Sequence, residues 1–286
     1  MAEKLRVVDV MNYLNYTKEG RDIYFSGPES SILVKRGALD YLPPPTTTED
    51  FVKQMDQFGF EKVFLTALKM GSYRTHAMNM DFSNEMIYEE VKKFPDRLVG
   101  ICGYDPYFIM DCLRDIERAV KEYGFKGVYA HTLGWGLRAN DRRMYPVYAK
   151  CVELDIPFSM QTGQSFEPLP SEAGRPMYVD QVALDFPDLK FVCSHTGYPW
   201  VEEAVGVAWT RDNVYIDTSA HSPKSLLTRM KSLVDFMDSS LGRQKVLFGT
   251  NSFPFPMMLG QFMELPLKDE SKAAILGENA IRLYKL

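Results

Sequence analysis

A few side chains in this sequence can move protons or hold a polar ligand at neutral pH. Four are histidines: His76, His131, His195 and His221. An imidazole with an unperturbed pKa of about 6.5 is the usual general acid or base. His131 and His195 are therefore read as catalytic candidates, able to divide the proton work across one pocket. Asn251 joins them, because an amide N–H can stabilise a developing oxyanion. Tyr13, Met11, Gln161 and His221 are read as substrate contacts. Arg138 and Arg175 are read likewise, since a guanidinium can grip a carboxylate with two parallel hydrogen bonds. Each has a plainer alternative: a core histidine bonded to backbone, a solvated arginine, or a tyrosine that only packs. His76 has the weakest claim.

These residues gain meaning from where they fall. Eight apolar or β-branched runs read as strands: Leu5–Val10, Lys62–Ala67, Leu98–Tyr104, Gly127–His131, Pro157–Gln161, Lys190–His195, Val214–Thr218 and Lys245–Gly249. Near-continuous apolar strands are expected where helices cover both faces of a parallel sheet. Segments of helical period lie between them: Asp81–Phe94, Asp111–Tyr123, Tyr145–Leu154, Tyr178–Phe186 and Ser222–Met237. Thr48-Glu49-Asp50 reads as a cap for the first helix. Eight such repeats predict an α/β fold of the (β/α)₈ TIM-barrel type, which commonly runs to about 250 residues. The whole of 1–286 reads as one barrel domain, with a long irregular stretch at 12–47 after strand 1 acting as a lid or a subunit contact. In such a barrel the site lies at the C-terminal ends of the strands. Alternation along a strand then groups Asp9, Met11 and Tyr13, and separately Asp217 and Ser219 with His221 just beyond.

Composition narrows the partners. The net charge of −5 argues against nucleic acid and anionic membrane, which call for a basic surface. No apolar run approaches the roughly 20 residues of a membrane span. Met1-Ala2-Glu3-Lys4 leads into a run too short for a signal-peptide core. The four scattered cysteines read as reduced thiols. A cytoplasmic protein acting on a small molecule is expected.

The segment Phe191-Val-Cys-Ser-His195-Thr-Gly197-Tyr-Pro199-Trp200-Val-Glu-Glu-Ala204 resembles the sixth strand, ligand histidine and Gly-x-Pro-Trp turn of the amidohydrolase-related family. That family includes the aminocarboxymuconate-semialdehyde decarboxylase-like enzymes. Asn213-Val-Tyr-Ile-Asp217-Thr-Ser219 is similar to its seventh strand, Leu247-Phe-Gly-Thr-Asn-Ser-Phe-Pro254 to its eighth, and Ile275-Leu-Gly-Glu-Asn279-Ala280 to its last helix. The resemblance implies an amidohydrolase-superfamily barrel, often a homodimer, with carboxylate substrates common.

The departures from that pattern bear on chemistry. The family's opening Asp-x-His-x-His reads here Asp9-Val-Met11-Asn-Tyr13. The fifth-strand histidine is Gln161, and the eighth-strand aspartate is Asn251. Of the five ligand positions the resemblance implies, only His195 keeps its usual residue. Catalytic dications take at least three nitrogen, thiolate or carboxylate donors. Neither a metal nor any other cofactor is therefore expected. Its loss removes the device that lowers the pKa of bound water from about 15.7 toward about 7, and Asn251 cannot accept a proton as aspartate would.

The leading expectation is a metal-independent hydrolase of a small, carboxylate-bearing ester, lactone or amide. The resemblance extends to a lactonase group that opens a pyrone dicarboxylate without a required metal. Alternatives are a carboxy-lyase or a hydratase/dehydratase on a small unsaturated acid, a non-catalytic small-molecule-binding descendant, and a metal-dependent enzyme with relocated ligands.

Overall fold

Eight short segments, almost wholly buried, pair side by side in chain order. They are β1 (Val7–Asp9), β2 (Phe60–Thr66), β3 (Leu98–Gly103), β4 (Val128–Ala130), β5 (Phe158–Gln161), β6 (Phe191–Ser194), β7 (Val214–Asp217) and β8 (Val246–Leu247). Every pairing among them is parallel. The sheet curls until its edges meet: Val10 N–H donates to Phe248 O at 3.1 Å, and Asn251 N–H to Met11 O at 2.8 Å. This computed structural model, which describes residues 5–286, is thus the TIM-barrel architecture expected from the sequence. The opening Met1-Ala2-Glu3-Lys4, read above for a leader, lies outside the described residues.

The helices form because their apolar positions recur on one face. Ile109–Tyr123 buries Cys112, Ile116 and Ala119, spaced four and three apart, against β3, as an amphipathic stripe requires. The C-terminal helix Asn279–Tyr284 closes the barrel floor, with Tyr284 edge-on to Phe64 at 4.7 Å and bonded to Ser159 at 3.2 Å. All four cysteines are buried and free. No helix among the described residues is long and apolar enough to cross a membrane.

Local expectations changed in four places. The helix-capping residue is Thr47, whose side chain accepts from Asp50 N, so Thr48 already belongs to the helix. The expected helix Ser222–Met237 is two, Pro223–Arg229 and Lys231–Met237, because buried Met230 leaves helical backbone at φ −137°, ψ 46°. No glycine or proline marks that break. A two-stranded antiparallel hairpin, Lys69–Gly71 with Met78–Asp81, sits between β2 and β3, its strands too short to show a period. Finally, the 12–47 stretch is ordered in short helical pieces: Leu14–Tyr16, Lys18–Tyr24, Ser31–Lys35 and Ala38–Tyr41. Thr17 caps the second of these, accepting from Gly20 N at 2.9 Å. Buried Glu29 receives Ser72 Oγ–H at 2.7 Å from the hairpin. Arg36 Nη1 donates to Phe166 O at 2.7 Å, in the loop after β5. The segment lies across the barrel mouth.

Candidate active site

Left-handed backbone clusters where the strands end. His195, Thr196, Ala220, Asn251 and Ser252 all have positive φ without being glycine, a conformation that costs energy and concentrates at functional sites. These turns bring the ends of β6, β7 and β8 inward. Gly163 (φ 79°) allows the loop after β5 to approach the one after β6; a Cβ there would lie 2.2 Å from Tyr198 O. The result is a cavity of about 260 Å³ between the barrel mouth and the 12–47 segment.

Of the residues picked from sequence, His131, His195, His221, Tyr13, Gln161 and Asn251 line this cavity. Three do not. Met11 lies beneath it, buried, its sulfur accepting from Thr66 Oγ1 at 3.8 Å. Arg175 is held bidentate by Glu203 (Nη2 to Oε1 at 2.6 Å, Nε to Oε2 at 3.0 Å), and Arg138 stacks over Tyr178 at 4.5 Å. Both arginines are spent on the outer face of their loops. The cation in the cavity wall is instead Arg229, exposed at the mouth, with no ion pair or side-chain hydrogen bond among the described residues. It was missed because it lies on a helix rather than in a strand-end loop. Glu167, buried beside Ser165, also faces the cavity and was missed.

A relay fixes the state of His195. Ser219 Oγ lies 2.6 Å from its Nδ1, and Ser219 Oγ–H donates to Asp217 Oδ1. That same oxygen accepts the backbone N–H groups of His195 (3.2 Å) and Ser219 (3.0 Å). A serine hydroxyl has one proton. With it committed to Asp217, Ser219 can only accept from Nδ1–H. His195 is therefore the Nδ1–H tautomer, and its Nε2 carries a lone pair. Burial, and then neighbouring His131, depress His195 to about 3. Burial, then His195, with Arg229 also contributing, depress His221 to about 4. Burial also lowers His131, whose Nδ1 has no partner. All three imidazoles are neutral at pH 7.

A second chain runs across the floor. Tyr13 Oη–H donates to Tyr129 Oη at 3.3 Å, Tyr129 Oη–H to Gln161 Oε1 at 3.2 Å, and Gln161 Nε2–H to Gln164 O at 3.4 Å. Asn251 Oδ1 is buried without a partner.

This donor set does not fit a divalent metal. Tyr13 and Gln161 are engaged with Tyr129, and Met11 lies below the cavity. Asp9, raised to about 7 chiefly by burial, is committed to the barrel seam, receiving Thr250 N–H (2.8 Å), Met11 N–H (3.2 Å), Asn12 and the Thr250 hydroxyl. No three acidic, histidine or cysteine side chains converge among the described residues.

The comparisons agree with the architecture. The family model described as amidohydrolase matches residues 52–286. The curated 2-keto-4-carboxy-3-hexenedioate hydratase of Sphingobium sp. (strain NBRC 103272 / SYK-6) is 28% identical over 239 residues, covering 70% of each protein. The solved structure of an uncharacterized TIM-barrel protein, Bb4693 from Bordetella bronchiseptica, is similar with a TM-score of 0.78 at 25% identity, covering 98% of both chains. That of 5-carboxyvanillate decarboxylase LigW from Sphingomonas paucimobilis gives 0.67 at 16% identity, covering 99% of both.

Proposed function

The chain belongs to the amidohydrolase family, and from that premise we propose that this member activates water by general base rather than by metal, to hydrolyse an ester, lactone or amide of a small carboxylate-bearing substrate. The observation that carries this reading is the Asp217–Ser219–His195 relay, which leaves His195 Nε2 unprotonated in the cavity. Water lying against Nε2 gives up a proton as its oxygen attacks the carbonyl carbon. The carbonyl π electrons move to oxygen, where an N–H of Gln161 or Asn251 stabilises the charge. Collapse of the tetrahedral intermediate expels the leaving group, which takes the proton from His195. Arg229 supplies the grip for a substrate carboxylate that Arg138 and Arg175 cannot.

A second reading is favoured by the Sphingobium relative: addition of water across a carbon–carbon double bond conjugated to a carbonyl, in a small unsaturated acid. The same base serves, and the proton returns to carbon. A panel of small carboxylate lactones, esters, amides and unsaturated keto acids, assayed in chelator, tests both. Hydrolysis releases a new acid and alcohol or amine, and hydration bleaches the conjugated chromophore without cleavage. Turnover that survives chelator and falls at least a hundredfold in His195→Ala is expected. Undiminished turnover in that variant, or carbon dioxide as product, overturns the proposal.

A further inference from the structure

The Tyr13 chain has a fixed direction, and the direction is set at its far end. Gln164 is anchored through its own N–H to Tyr198 O at 2.8 Å. Its carbonyl can only accept, so it faces Gln161 Nε2. That orients the Gln161 amide and turns Oε1 toward Tyr129. A carbonyl oxygen also only accepts, so Tyr129 must donate to it. Tyr129 has one proton, so toward Tyr13 it accepts, and Tyr13 must donate to it. Burial, followed by Tyr129, pushes the Tyr13 phenol well above its usual range, so it keeps its proton. That proton is spent inside the chain.

What Tyr13 shows the cavity is therefore a lone pair. We propose that Tyr13 is a specificity-determining residue that selects a substrate carrying a hydroxyl at the position facing its oxygen, over one carrying a carbonyl or nothing there. A hydroxyl donates to that lone pair. A carbonyl oxygen opposes it, acceptor against acceptor, and leaves both unpaired in a buried site. His195 Nε2, on the same cavity, is a second acceptor with its direction fixed from Asp217. The wall is thus built to receive protons at two points, as an attacking water or a hydroxy acid requires. The inference rests on the reading of this cavity as a site for small carboxylates.

Three acids of one carbon skeleton isolate the effect: 2-hydroxyglutarate, glutarate and 2-oxoglutarate, titrated calorimetrically into the full chain. The hydroxy acid is expected to bind about fivefold or more tighter than glutarate, with the keto acid weakest. Tyr13→Phe brings the hydroxy acid to within about twofold of glutarate. Tyr129→Phe frees the Tyr13 proton for the cavity, and the keto acid then gains about fivefold on glutarate. Equal wild-type affinities, or a wild-type preference for the keto acid, overturn the inference. The carboxylate reading still stands in that case if Arg229→Met weakens all three. Failure of all three to bind, or binding untouched by Arg229→Met, overturns that reading and the inference with it. The wild-type ranking decides alone if either tyrosine variant does not fold.

Discussion

Replacing Ser219 by alanine removes the acceptor that holds the proton on His195 Nδ1. In the native site that contact is 2.6 Å long and fully buried. After the change, Nδ1–H loses the hydroxyl that accepted it. Leaving a buried donor unpaired costs about 1–3 kcal/mol, and the ring escapes this by moving its proton to Nε2. The base-competent form then falls by the same free energy, and at 1.36 kcal/mol per decade kcat/KM drops about 5- to 150-fold. Long-range proton–nitrogen spectra of protein labelled at histidine report which ring nitrogen is bare, with no substrate required. The wild type should show Nδ1 protonated and Nε2 bare at pH 7. Ser219→Ala should reverse or mix the two, and Ser219→Thr, which keeps a hydroxyl, should restore them. A wild-type His195 with its proton on Nε2 refutes the relay. So does a Ser219→Ala protein whose tautomer and turnover, within about twofold, are unchanged.

Three other outcomes follow. Arg229→Met should raise KM for a carboxylate substrate about 10- to 100-fold, the worth of a charge-assisted hydrogen bond, while Arg138→Met and Arg175→Met leave it nearly unchanged; steady-state kinetics decide this. Gly163→Ala forces a side chain into left-handed backbone, 2.2 Å from Tyr198 O, and should cost at least about 2 kcal/mol, read as a lower midpoint in thermal melts. The depressed histidines set an acid limb of stability. The folded chain refuses protons that the unfolded chain accepts below about pH 6.5, so stability falls as pH drops toward the folded values of about 3 for His195 and about 4 for His221. Asp9, raised to about 7, acts oppositely, gaining stability as pH falls from about 7 toward its unfolded value of 3.8. Denaturant titrations should therefore show His221→Gln losing about 2 kcal/mol less than wild type between pH 7 and pH 4.5, and equal losses would contradict the depression of His221.

The barrel was legible because its strands are buried on both faces, so Leu98–Gly103 or Phe191–Ser194 reads as an unbroken apolar run. The strand-end residues were legible for the same reason: period two places Ser219 beside Asp217 on one face. Their bond to His195 was not, since it joins β7 to the turn after β6, where His195 has a left-handed φ of 68°. The arginines lie elsewhere. Loop position after a strand favoured Arg138 and Arg175, yet each found a partner nearer than the cavity, Tyr178 and Glu203. Arg229 lines the mouth as the last residue of its helix, just before the break at Met230, and no residue there announces a stop. The ordering of 12–47 was hidden too, since helices of three to seven residues show little period and this segment depends on tertiary ties such as Arg36 to Phe166.

A base depressed to about 3 is weak, and its weakness has causes that a bound anion can change. His195 is low because burial disfavours its charged form, with neighbouring His131 adding to the shift, while the unpaired Arg229 guanidinium helps to hold nearby His221 down. An anionic substrate changes those conditions together. In the proposed mechanism its carboxylate pairs with Arg229 and cancels that charge, and a second negative charge on the substrate favours imidazolium within a low-dielectric cavity. Substrate binding thereby raises the basicity of the group that is to act on water, and a neutral ligand of the same shape does not. The two pH profiles separate these states, since kcat/KM reports the free enzyme and kcat the complex. At pH 4.5 a histidine of pKa about 6.5 is roughly 1% neutral, whereas one at about 3 is roughly 97% neutral. The acid limb of kcat/KM should therefore lie below about pH 4 and that of kcat above it. Coincident limbs would mean that the substrate leaves the field at His195 unchanged.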